Sequence, residues 1–154
     1  MACIRITAFA IMFVFSFLCI YSADGSIMVF YKNRKPSLAV LDEVKKAFES
    51  TDKDFEIEYL DIEDAKNLPV IADLGLPSGH FPFAVVIDGK YTAKIGDDIL
   101  SFVHFPLFMK GIGRHEGNWS MDHLKMVLKD SSLLHEINVL PVLEESSHTT
   151  SCED

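Results

Sequence analysis

Apolar and polar positions along this chain fall into blocks whose period switches between two and nearly four. Ile27-Met28-Val29-Phe30-Tyr31 is a continuous apolar run and reads as a buried strand. From Ser37 onward Leu38, Val40, Leu41, Val44 and Phe48 recur at helical spacing, which predicts a helix beginning near Ser37. The connection between them, Lys32-Asn33-Arg34-Lys35-Pro36, is short, basic and free of sulfur. After a polar loop at residues 50–54, Phe55-Glu56-Ile57-Glu58-Tyr59-Leu60-Asp61 alternates apolar and charged side chains, the pattern of a half-buried strand. Strand, helix and strand in this order imply a parallel pair with a right-handed crossover.

The next stretch, Asp61 to Leu76, predicts a short helix capped by Asp61 or Asp64, with Leu68, Ile71, Ala72 and Leu74 on its buried stripe. Pro69 fits there only in the first turn, where its missing N–H is not needed. Pro77-Ser78-Gly79-His80-Phe81-Pro82 is rich in turn formers, and Phe83-Ala84-Val85-Val86-Ile87 reads as a strand buried on both faces. Asp88-Gly89 is a two-residue hairpin signal, so Lys90 to Ile95 is the returning strand, ended by Gly96. A last helix runs from Met121 to about Leu128, capped by Ser120, with Met121, Leu124, Val127 and Leu128 on one face.

The first 23 residues do not belong to this pattern. Met1 to Arg5 carries one positive charge, Ile6 to Ile20 is almost wholly apolar, and the small residues Ser22 and Ala23 follow. That three-part layout predicts a secretory signal cleaved after Ser22 or Ala23, hence a secreted or periplasmic protein. An uncleaved anchor is the alternative, because the apolar run approaches spanning length, and a membrane partner follows only from that alternative. Lipoprotein processing at Cys19 is disfavoured by Phe17-Leu18 before it. Residues 24–136 then form the folded domain, and 137–154 an acidic, Ser/Thr-rich tail.

Removing the leading segment leaves 13 Lys and Arg against 23 Asp and Glu, a net charge of −10. Such a surface repels phosphate backbones, so nucleic acid is excluded as a partner, and self-repulsion favours a monomer. Cys3 and Cys19 lie in the leading segment, so the domain holds no internal disulfide. Cys152 sits among acidic neighbours in the tail, where the thiolate is disfavoured; an intermolecular disulfide is the one role open to it.

The order strand–helix–strand–helix–strand–strand–helix, with a proline directly before the third strand, resembles the thioredoxin-like fold over roughly Ser26 to Asp130. Val29-Phe30-Tyr31, Leu41-Asp42-Glu43-Val44, Tyr59-Leu60-Asp61 and Phe81-Pro82-Phe83 carry the resemblance. It implies a three-layer α/β sandwich with a mixed central sheet, here with an inserted segment, residues 97–119, before the last helix. It also implies that Pro82 is cis and lies, with the first helix's N-terminus, at a groove that receives extended peptides. Two departures shape the functional reading. The turn after Tyr31 is about four residues shorter than the family's loop, and the family's cysteine pair falls in the missing part. Dithiol exchange needs a thiolate and a resolving thiol, and neither is present there.

The expectation is therefore an exported, redox-inactive domain that binds a peptide or protein, with no dithiol oxidoreductase activity. Lys32, Arg34, Ser37, His80, Phe81 and Pro82 are the groove candidates. Phe105, Phe108, Arg114, His115, Glu116 and Trp119 are the candidates in the inserted loop. The alternative is a glutathione- or thiol-dependent enzyme, implied by similar folds that place a serine at this helix N-terminus, with Ser37 facing a bound thiolate. Each candidate also has a plain structural role open to it: His80 as a solvated turn residue, Ser37 as a helix-start residue, the inserted aromatics as packing. His104, His115, His123 and Glu116 could approach one another, but their spacing matches no ligand motif, so no metal and no cofactor is implied.

Overall fold

The computed structural model describes residues 23–77, 81–107 and 115–141. Three strands form a mixed sheet in the order β2-β1-β3, with β1 at Gly25–Tyr31, β2 at Phe55–Asp61 and β3 at Phe83–Ile87. β1 runs parallel to β2 with Val29 beside Tyr59, and antiparallel to β3 with Val29 beside Val85. The crossover is α1 (Ser37–Glu49), followed after β2 by a 3-10 turn at Ala65–Asn67 and α2 (Leu68–Asp73). Pro69 stands in the first turn of α2, as its missing N–H demands. β4 (Thr92–Ile95) and β5 (Asp98–Ser101) make a separate antiparallel hairpin, and α3 (Met121–Lys129) follows.

The period of two in β3 divides the core. Phe83, Val85 and Ile87 point to one face, where Val40, Val44 and Phe48 of α1 and Leu124 and Val127 of α3 cover them. Ala84 and Val86 point to the other, beside Phe30, Phe81 and Ile71 of α2. All five β3 residues are buried, as a continuous apolar run requires when both faces are covered. Each fully buried side chain of this size contributes about 1.5–3 kcal/mol from apolar transfer.

The Asp88-Gly89 signal is realised as a tight turn with both residues at positive φ, 50° and 75°, closed by paired hydrogen bonds between Ile87 and Lys90 at 2.8 and 2.9 Å. The returning strand does not stay on β3, however. After Lys90 the chain leaves as β4, pairs with β5, and comes back at Phe102 (Phe102 N–H to Tyr91 C=O, 2.7 Å). Phe102 to His104 then take the place beside β3: Val85 N–H donates to Phe102 C=O at 2.9 Å and His104 N–H to Phe83 C=O at 2.8 Å. The first part of the expected insertion is thus a strand, and its apolar run Phe102-Val103 fills the flank of β3 that the sequence reading had given to Lys90–Ile95.

Ser120 caps α3 as expected, its hydroxyl accepting from His123 N–H at 3.3 Å while Ser120 N–H donates to His123 Nδ1 at 3.2 Å. The chain stays attached beyond residue 136, the expected end of the folded domain. Asn138 accepts from Tyr91 N–H at 2.9 Å and donates to Gly89 C=O at 3.0 Å, and Val139 and Thr92 exchange two more bonds. One asparagine therefore satisfies two backbone groups at the point where β4 departs. Replacing it, Asn138→Ala, is expected to lower stability by about 1–2 kcal/mol, measured as a lower urea midpoint at unchanged slope.

Candidate functional site at the C-terminal end of β1

Four chain segments meet where β1 ends. Tyr31 lies beside Phe83 and Asp61, Pro82 precedes Phe83, and His104 bonds to Phe83 on its outer side. In sheets with parallel strands this is the end where connecting turns leave a ligand-accessible surface. The side chain that joins two of them, the end of β1 and the residue before β3, is Ser37. It is the first residue of α1, only 1% exposed, and its Oγ accepts from Lys32 N–H at 3.0 Å while donating to Pro82 C=O at 3.0 Å. A hydroxyl has a single hydrogen to donate, and here Pro82 holds it.

The turn over this joint is exposed at Asn33, Arg34, Lys35 and Pro36 and half-buried at Lys32. Arg34 pairs with Glu63 at 3.1 Å across the β1 and β2 ends; between two exposed side chains such a pair is worth at most about 1 kcal/mol. Lys32 and Lys35 make no ion pair among the described residues. The turn is therefore a patch of positive charge on an acidic chain.

The remaining candidates divide into two sets. Phe81 is fully buried, edge-on to Phe30 with ring centres 6.4 Å apart, and Pro82 is buried beside it. Among the described residues the cis peptide bond is the one before Pro36, and the bond before Pro82 is not cis, contrary to the expectation carried over from the family's proline. Pro82 serves this corner through its carbonyl, as the acceptor for Ser37. Phe105 and Trp119 are core residues as well, 3% and 0% exposed, Trp119 edge-on to Phe102 at 5.4 Å. Their aromatic surface is spent on packing and is not presented to a partner. His115 and Glu116 are exposed at the rim. His80, Phe108 and Arg114 lie outside the described residues.

His104 is the group at this end whose titration is strongly perturbed. It and His115 both have left-handed backbone, φ 68° and 64°, a region that histidine tolerates better than most residues. Their rings lie nearly parallel, 5.9 Å apart. The bends are held by Phe105 N–H to His115 C=O at 2.9 Å and Gly117 N–H to Phe105 C=O at 2.6 Å. A side chain at Gly117 would meet Val103 C=O at 2.5 Å, so glycine is required there. His104 is buried with no partner at Nδ1 among the described residues, and burial, then the neighbouring His115, lowers its pKa from 6.5 to about 4. It is neutral at physiological pH. His123 belongs to the α3 cap, and among the described residues no three metal-binding side chains gather.

The arrangement offers recognition more readily than bond chemistry: an exposed cationic turn, an exposed histidine and carboxylate, a committed serine, and no cysteine among the described residues. Lys32 and Arg34, groove candidates from the sequence, stand on this turn, Lys32 half-buried and Arg34 exposed. Glu63, the partner of Arg34, gave no signal, because it meets the turn only through the parallel register of β1 and β2. Compared with protein-family models, curated proteins and solved structures, the chain matches none.

Because the fold keeps His104 neutral, the unfolded chain binds its proton first as pH falls. The stability that neutral His104 contributes is present above pH 6.5 and is lost between 6.5 and about 4. His104→Asn, which also suits positive φ, is expected to remove that loss. Urea titrations at pH 7 and 4.5 should show wild type losing on the order of 1–2 kcal/mol more than the variant.

Proposed function

We propose that this chain is an exported, thioredoxin-like domain without redox catalysis, which binds a peptide or protein at the C-terminal end of β1. The element order and the mixed sheet support the fold reading, and the apolar leading segment of residues 1–22 supports export. The observation that carries the binding reading is the Ser37 joint. It closes the corner where a thiol would have to act, and it leaves the basic turn above it open to solvent. The partner surface is then smaller than the sequence implied. Lys32, Arg34 and Lys35 supply charge, and His115 and Glu116 form the rim. Phe81, Pro82, Phe105 and Trp119 support it from within.

A cationic turn on a domain whose net charge is −10 once the leading segment is removed selects an acidic segment by local complementarity, while the rest of the surface repels it. The glutathione-dependent alternative needs the Ser37 hydroxyl to donate to a bound sulfur, and that hydrogen is already given to Pro82.

Selection of a random linear peptide library on the full chain is expected to enrich acidic sequences. The Lys32→Glu/Arg34→Glu/Lys35→Glu variant should bind the enriched peptides at least tenfold more weakly. Equal binding by wild type and variant would place the interaction elsewhere.

A further inference from the structure

β2 is the outer strand of the three-stranded sheet, and among the described residues nothing pairs with its free side. Which backbone groups face outward follows from the ladder. Ile62 N–H donates to Tyr31 C=O and Asp54 C=O accepts from Asp24 N–H, so the even-numbered residues of this segment turn towards β1. The N–H and C=O groups of Phe55, Ile57 and Tyr59 therefore point away from the sheet. The next outward carbonyl, Asp61, is already covered by the Asn67 side chain at 2.8 Å. The open edge is limited to three residues.

Both faces flanking that edge are indented. On the α1 side a depression is lined by Phe48, Phe55, Ile57 and Tyr59, with Lys45 over the Tyr59 ring at 4.9 Å. On the opposite side, which the short α2 leaves uncovered, a second depression is lined by Met28, Ser26, Glu56 and Glu58, and Asp88 binds Ser26 beside it. Glu56 and Glu58 are exposed, and no ion pair holds either among the described residues. An added strand would drop alternate side chains into these two depressions, because directly opposed residues share a face.

We propose that the β2 edge is a second interaction surface, which accepts by strand addition an extended segment that alternates apolar with basic residues. Its apolar side chains pack beside Phe55, Ile57 and Tyr59, its lysines or arginines oppose Glu56 and Glu58, and its backbone completes the ladder. A second copy of this chain is the wrong occupant on charge. Antiparallel pairing about Ile57 sets Glu56 against Glu58 of the other copy, pairing about either glutamate sets it against itself, and like charges directly opposed are destabilising.

The test uses the full chain and the capped hexapeptide acetyl-Lys-Val-Lys-Val-Lys-Val-amide, with amide hydrogen exchange as the readout. Saturating peptide is expected to slow exchange at Ile57 and Tyr59 at least tenfold. The Glu56→Lys/Glu58→Lys variant should bind it at least tenfold more weakly and should prefer the Glu-Val counterpart. A peptide of the same charge with alternate backbone nitrogens methylated should not protect these amides. Three results would overturn the proposal: no protection at millimolar peptide, equal protection by the methylated peptide, or concentration-dependent protection without peptide, which would mean that a second copy occupies the edge.

Discussion

A single buried hydroxyl ties together the end of the sheet on which the functional reading depends. Ser37 Oγ links the turn that follows β1, the start of α1 and the residue before β3. Pro82 C=O is buried and Lys32 N–H half-buried, and a buried group left unpaired costs about 1–3 kcal/mol. The turn can therefore be five residues long, with α1 starting directly over the sheet and no side-chain cap at its N-terminus. The same bonds that fix the corner remove its hydroxyl from chemistry.

Around this joint the molecule separates packing from presentation. β1, central and paired on both sides, carries Val29 to one core and Phe30 to the other. The aromatic residues next to the site, Phe81, Phe105 and Trp119, are drawn into those cores, and charge is what remains at the surface. The two proposed surfaces then differ in sign: a cationic turn at the end of β1, and a carboxylate-lined edge at β2.

Much of the fold was legible in local pattern. The apolar run of β1, the helical spacing from Val40 to Phe48, the alternation of β2, the Asp88-Gly89 turn and the Ser120 cap all express themselves within a few residues, and all five are realised. The pairing of β4 with β5 was not legible, because an apolar–polar alternation states that a strand exists but not which strand it joins. Likewise the Asn138 clip joins positions 47 and 49 residues apart, with no repeat or spacing to announce it. At the site, Lys32 and Arg34 were readable as surface charge. Packing of the inserted aromatics was one of the two roles the sequence offered, and Phe105 takes it, but a binding aromatic and a core aromatic look alike in sequence, so the burial of Phe81 and Trp119 was not readable; the proline matched to the family by position, Pro82, likewise acts here through its carbonyl.

The claim on which the account rests is that Ser37 is a structural joint and not a ligand-binding hydroxyl. Urea denaturation of Ser37→Ala at neutral pH tests it most directly. A loss of about 1–3 kcal/mol is expected, because two backbone groups lose their partner together. A midpoint indistinguishable from wild type would contradict it, and would return the hydroxyl to the list of groups free to meet a ligand.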